Sequence, residues 1–151
     1  MAQRPGSAGE YAVPRAEAAP PLWLTVPARP GQLPGLRRAL REWLAQAGVE
    51  EHDATAVQVA AGEATSNVVE HAYLGAEPEL VRLTADVVTD AGGGRVLELR
   101  VIDSGSWRDD GPHTRDRGRG LPLMSATMDE VRVERHDGGP GTTVHMRLRL
   151  S

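Results

Sequence analysis

The 151-residue chain contains no cysteine, no lysine and no phenylalanine. Without cysteine there is no disulfide, no thiol nucleophile and no cysteine-ligated zinc or iron–sulfur site. Without lysine there is no Walker-A lysine, no protein-kinase strand lysine and no Schiff-base chemistry. All 17 basic residues are arginine, against 21 acidic ones, for a formal net charge of −4. That balance gives no overall field for nucleic acid or an anionic membrane. Neither a helix-turn-helix nor a zinc pattern is present, so no nucleic-acid partner is expected. No apolar run reaches the roughly 18 residues that span a bilayer. The first residues lack the basic start and apolar run of a signal peptide, so a cytoplasmic, soluble protein is expected.

What remains is a chain of one-domain size. Residues 1–20 are rich in Gly, Ala, Pro and Ser without periodicity and read as a disordered leader. The domain is expected over 21–151. Leu22, Leu24 and Val26 alternate as a short strand does. Pro34 opens a helix to about Ala47, with Leu36, Leu40, Trp43 and Leu44 on one face and Gly48 as its stop. Asp53 is the expected N-cap of a second helix of about 20 residues. Its apolar stripe is Val57, Ala60, Ala61, Ala64 and Val68. The rest alternates as strands around Val81–Val87, Leu97–Val101, Val131–Val133 and Val144–Leu150. A short helix is expected at Leu121–Met128. The order β-α-α-β-β-loop-α-β-β predicts an α+β two-layer sandwich, a mainly antiparallel mixed sheet with helices on one face.

Charge is uneven along the chain. Eight acidic residues and no arginine lie between Glu42 and Val81, and the remainder carries a net +4. A solvated acidic helix face accounts for most of those carboxylates.

Four constellations could carry chemistry. Glu63, Asn67 and His71 fall at i, i+4 and i+8, in one row at the border of the apolar stripe. A carboxylate and an amide oxygen suit a hard cation such as Mg²⁺, and Glu63 could instead act as a general base. His71 lies near the apolar side and reads as structural. Asp103 continues the inward set Leu97, Leu99, Val101, so parity points its carboxylate at the core. Such an aspartate must be hydrogen-bonded, and Gly105 beside it lets a ligand approach the backbone. Gly118-Arg119-Gly120-Leu121 leads into a helix, where free backbone N–H groups suit phosphate. The residues from Ser106 to Arg117 suit a mobile lid. Gly141-Thr142-Thr143-Val144 enters the last strand from a hairpin turn, and the hydroxyl of Thr142 or Thr143 could also touch a ligand.

Each signal alone has a bland alternative: a helix edge, an Asx-turn, a loop hinge, a hairpin. In this fixed order they resemble the GHKL (Bergerat-fold) ATPase superfamily and its N, G1, G2 and G3 boxes, over about residues 20–150. The strings Glu63-Ala-Thr-Ser-Asn67-Val-Val-Glu-His71-Ala72-Tyr73 and Gly118-Arg-Gly-Leu-Pro-Leu-Met124 resemble its branch of bacterial anti-sigma-factor serine kinases. The resemblance implies a histidine-kinase-like ATP-binding domain using ATP and Mg²⁺. It implies Asn67 as the Mg²⁺ ligand, Glu63 as the general base and Asp103 as acceptor of the adenine amine, with Gly105 beneath the base. It further implies phosphate donors from Gly118, Arg119, Gly120 and Leu121, and Thr142 on the pocket wall. The implied partners are a sigma factor, a STAS-domain anti-anti-sigma antagonist phosphorylated on serine, and a second copy of the chain. A second reading is a nucleotide-gated regulatory binding module without phosphoryl transfer, a free-standing relative of phosphatase-fused GHKL domains.

Overall fold

The computed structural model describes residues 19–107 and 120–151, with Gly120 and Leu121 described by backbone alone. The expected leader lies outside the described residues up to residue 18. Its end does not: the Pro20 carbonyl accepts the Trp43 indole N–H at 2.7 Å, which ties the start of the domain to the core. The expected lid lies outside them from residue 108 to 117.

Strand β1 (Leu22–Pro27) exposes every second residue, as its alternation requires. Pro30–Gln32 then forms a short 3₁₀ turn that feeds helix α1 (Leu33–Gln46). Leu36, Leu40, Trp43 and Leu44 fill the buried face of α1. Burying each such side chain contributes about 1.5–3 kcal/mol. Gly48 ends the helix at φ +66°, a left-handed conformation that glycine adopts without steric cost. Arg95 donates to the freed carbonyl of Ala47 at 2.6 Å, a cation at the negative end of the helix.

Helix α2 (Glu51–Asn67) buries the expected stripe: Val57, Ala60, Ala61 and Ala64, followed by Val68 beyond its end. Small alanines let it lie close to its neighbours. One expectation needs correcting. Asp53 is not the N-cap but sits in the first turn, buried, where it accepts the Ser151 backbone N–H at 2.8 Å. The cap position is Glu50, which makes no side-chain cap bond. Asp53 thus ties Ser151, just past the last strand, to this helix across 98 positions, a contact that no local pattern encodes. After Asn67 the helix widens into a π-helical turn over Val68–Ala72.

Strands β2 (Leu80–Thr89) and β3 (Arg95–Asp103) form a hairpin. Helix α3 (Gly120–Thr127) and strands β4 (Glu130–Arg135) and β5 (Thr142–Arg149) complete the chain. The sheet order is β1-β2-β3-β5-β4, and every neighbouring pair of the described strands is antiparallel. The α+β sandwich is therefore as expected, with no parallel pair among the described strands. The inner sheet face carries Val81, Leu83, Leu97, Leu99, Val101, Val144 and Met146, all buried with the helices' apolar residues in one core.

Candidate functional site

Parity and register assemble the site at one end of the sheet. Val81, Asp103, Thr142 and Arg135 stand opposite one another across four adjacent strands. They share the inner row, so a carboxylate, a hydroxyl and a guanidinium extend the apolar layer toward the end of α2. Asp103 is 2% exposed. Its Oδ1 accepts the Gly105 N–H at 2.9 Å, closing an Asx-type turn. The Trp107 indole Nε1 donates to Oδ1 at 3.0 Å and Oδ2 at 2.9 Å. Burial pushes the Asp103 carboxyl above its ordinary range, against the opposing pull of the Trp107 and Gly105 hydrogen bonds and of His136.

The loop after Asp103 is clamped to the end of the long helix. Tyr73 donates its hydroxyl hydrogen to the Leu80 carbonyl at 2.7 Å and accepts the Ser104 N–H at 3.0 Å. Burial raises the Tyr73 phenol, which keeps it neutral and able to serve in both directions. Gly105 lies against the Ala72 backbone so closely that a β-carbon would collide with the Ala72 carbonyl. This close approach is why glycine is required there.

A cavity of about 100 Å³ opens between the helix end and this sheet row. Asn67, His71, Trp107, Thr142 and Arg135 supply its polar edge, and Ala64, Met124, Val133 and Val144 its apolar wall. A larger hollow of about 650 Å³ elsewhere involves Glu98, Glu130 and Arg147. Those charges pair with one another at the surface and include none of the expected site residues.

Among the expected residues, Asn67 and Thr142 line the cavity. Asp103 does not line it, because the Trp107 indole covers its carboxylate. Glu63 lies one helical turn before Asn67, half-buried and outside the cavity wall. Gly118 and Arg119 lie outside the described residues, and Gly120 and Leu121 form the first turn of α3. His71 departs from its expected place. Its side chain is half-exposed at the cavity edge, with its ring 6.2 Å from that of Trp107. The π turn causes this: with more residues per turn, position 71 stays closer to the line of Asn67 than a regular helix allows.

Trp107, Arg135 and Met124 are cavity residues that sequence reasoning did not single out. Arg135 was legible only through register, as the inward partner of Thr142. Among the described residues no group of three metal-ligating side chains is present. Asn67 and Glu63 offer two oxygens on successive turns of one helix. That sparse set suits Mg²⁺, which takes most of its oxygens from water and a bound phosphate.

The fold and site together define an α+β domain with a cavity between a long helix and the end of an antiparallel sheet, beside one buried aspartate that an indole covers. Residues 26–148 match the family described as the histidine kinase-like ATPase domain, and the chain belongs to that family. It is 32% identical over 130 residues to the serine-protein kinase RsbW of Bacillus subtilis, covering 76% of this chain and 78% of that one. Among solved structures it resembles the RsbU and RsbW domains of Rv1364c from Mycobacterium tuberculosis, with 30% identity and a TM-score of 0.66. That match covers 87% of this chain but only 32% of the longer one. The SiaB-SiaC complex from Pseudomonas aeruginosa contains the same fold, at 17% identity and a TM-score of 0.51, over 85% of this chain and 89% of that one. The resemblance to the serine-kinase branch of the GHKL superfamily is thereby borne out. No described helix is long and apolar enough to cross a membrane.

Proposed function

We propose that the chain is an ATP- and Mg²⁺-dependent serine-protein kinase that acts as an anti-sigma factor, transferring phosphate to a STAS-domain antagonist. The observation that carries this reading is Asp103: a buried, inward-facing carboxylate at a strand end, beside a glycine pressed against the helix. A carboxylate so placed accepts the adenine amine. Guanine presents a carbonyl oxygen at that position, so two acceptors would face each other and the base is rejected.

Thr142 lines the base pocket from the last strand. Asn67 would hold Mg²⁺, which supplies charge neutralisation to the phosphates. The backbone at Gly118, Arg119, Gly120 and Leu121 would donate to phosphate oxygens ahead of α3. Glu63 takes the proton of the substrate serine as its oxygen bonds to the γ-phosphorus and the bond to the bridging oxygen of ADP breaks. Residues 21–151 constitute the ATP-binding domain in this reading. A sigma factor and a second copy of the chain are its further partners, in the cytoplasm.

The second reading, a nucleotide-gated binding module, draws on one observation: Glu63 stands outside the cavity wall. Incubation of a STAS-domain antagonist with Mg-ATP separates the two. The kinase reading expects phosphoserine on the antagonist. Glu63→Gln should lower that rate about 10²- to 10⁴-fold while ATP affinity is retained. Retained nucleotide binding with no phosphoserine from the unmodified chain would instead establish the binding module.

A further inference from the structure

The Trp107 indole occupies the place that the proposed function gives to the base. Its single N–H is shared between both oxygens of Asp103, at 3.0 and 2.9 Å. A donor shared in this way sits in front of the carboxylate, where a ligand amine must also sit. Trp107, not Asp103, then forms the cavity wall. The remaining cavity of about 100 Å³ is well below the roughly 300 Å³ at which small-molecule sites begin. The ring lies tilted 35° from that of His71, filling the space beside the helix end.

The backbone gives a second, independent sign. Trp107 has φ +39°, the one non-glycine residue with positive φ among the described residues. A bulky side chain takes up that conformation only when its surroundings hold it there, and such outliers gather at ligand sites. Its surroundings include Asp103, which holds the indole, and the Ala72 carbonyl, toward which the Trp107 backbone N–H is directed at 3.4 Å.

We propose that Trp107 is an affinity-determining residue of the nucleotide site, an internal ligand of Asp103 that adenine must displace in order to bind. The inference rests on the nucleotide reading given above. Free protein with the indole on Asp103 is not competent for the base, so the observed dissociation constant is the intrinsic one divided by the fraction in which the indole has left. Removing the N–H while keeping an aromatic ring raises that fraction. The indole also discriminates among ligands: only a group that offers Asp103 a donor replaces what the indole supplies. A ligand with an acceptor there leaves the buried carboxylate with the Gly105 N–H alone and Oδ2 without the donor that the indole gave it.

Two measurements on the full chain test this. The chain's three tryptophans are Trp23, Trp43 and Trp107, so the ¹⁵N spectrum contains three indole signals, assignable by single Trp→Phe variants. The Trp107 signal should move on Asp103→Asn without any nucleotide, and should move and lose protection from solvent exchange as Mg-ADP is added. Calorimetry should show Trp107→Phe binding Mg-ADP about tenfold more tightly than the unmodified chain. Trp107→Leu, which also lacks the N–H, should shift affinity in the same direction. If the unmodified chain binds Mg-ADP and both variants bind it equally or more weakly, the indole is not a competitor and the proposal is overturned alone. If neither the unmodified chain nor the variants bind while all remain folded, the nucleotide reading fails and the proposal falls with it.

Discussion

Two aspartates stand at opposite ends of the β2–β3 hairpin, and each accepts a glycine N–H. Asp90 closes the tight turn between the strands, accepting from Gly92 at 3.0 Å and Gly94 at 2.8 Å and pairing with Arg149 at 2.9 Å. The Gly94 N–H holds its carboxyl below the usual range; desolvation opposes it, and Gly92, Arg149 and Arg147 add smaller lowering effects. Asp103 ends the outgoing strand with its carboxyl pushed up by burial. One carboxylate prefers to be charged in the folded protein and serves the turn. The other is charged at a cost, in a place where water is excluded and a ligand's donor would be welcome. A raised buried carboxylate directly behind a cavity wall marks a binding site more often than a lowered one in a surface turn.

The glycines beside the two carboxylates offer the largest contrast. Gly105→Ala drives a methyl into the Ala72 backbone and should cost about 3 kcal/mol in urea unfolding, with nucleotide affinity falling as well. Gly92→Ala places its methyl in ordinary contact with Asp90 and should change stability by less than about 0.5 kcal/mol. Equal costs would show that the loop at the site is as tolerant as the turn.

Acid dependence gives the next contrast, with opposite signs. For Asp90 the lowered folded pKa contributes stability that is present above its ordinary value and lost as pH falls through the folded value. For Asp103 the raised folded pKa contributes stability that is present at low pH and lost as pH rises through the folded value. Unfolding midpoints followed downward from neutral pH should therefore show Asp90→Asn removing an acid-sensitive gain. Asp103→Asn should relieve a loss present at neutral pH, leaving the variant at least as stable as the parent there. If Asp103→Asn instead destabilised the fold at neutral pH, the aspartate would be structural.

Arg149→Ala should have the smallest effect. Its side chain is 74% exposed, and its pairing with Asp90 is screened by solvent. The unfolding midpoint should stay within measurement error, because the two glycine N–H groups still hold Asp90.

Alternation made the sheet legible, and with it the most informative site residue. Leu97, Leu99 and Val101 set a parity that assigned Asp103 to the inner face, where the structure has it. The stripe from Val57 to Val68 likewise anticipated the buried face of the long helix. What escaped were features set by tertiary contact. Asp53 resembles a cap locally but is taken by the Ser151 N–H. The π turn at Val68–Ala72 redirects His71 to the cavity, and helical periodicity assumes a constant pitch. Trp107 read as part of a loop because its partner is set by a backbone conformation that tryptophan rarely adopts. Gly118 and Arg119 carry expectations that the described residues do not reach.

The central claim is that Asp103 is the base-recognising carboxylate and Asp90 is not. Calorimetric titration with Mg-ADP of the unmodified chain, Asp103→Ala and Asp90→Ala tests it most directly. The account predicts that the unmodified chain and Asp90→Ala bind alike, while Asp103→Ala loses about 10- to 100-fold in affinity, the worth of a hydrogen bond to a charged group. Binding by Asp103→Ala equal to that of the unmodified chain would contradict it.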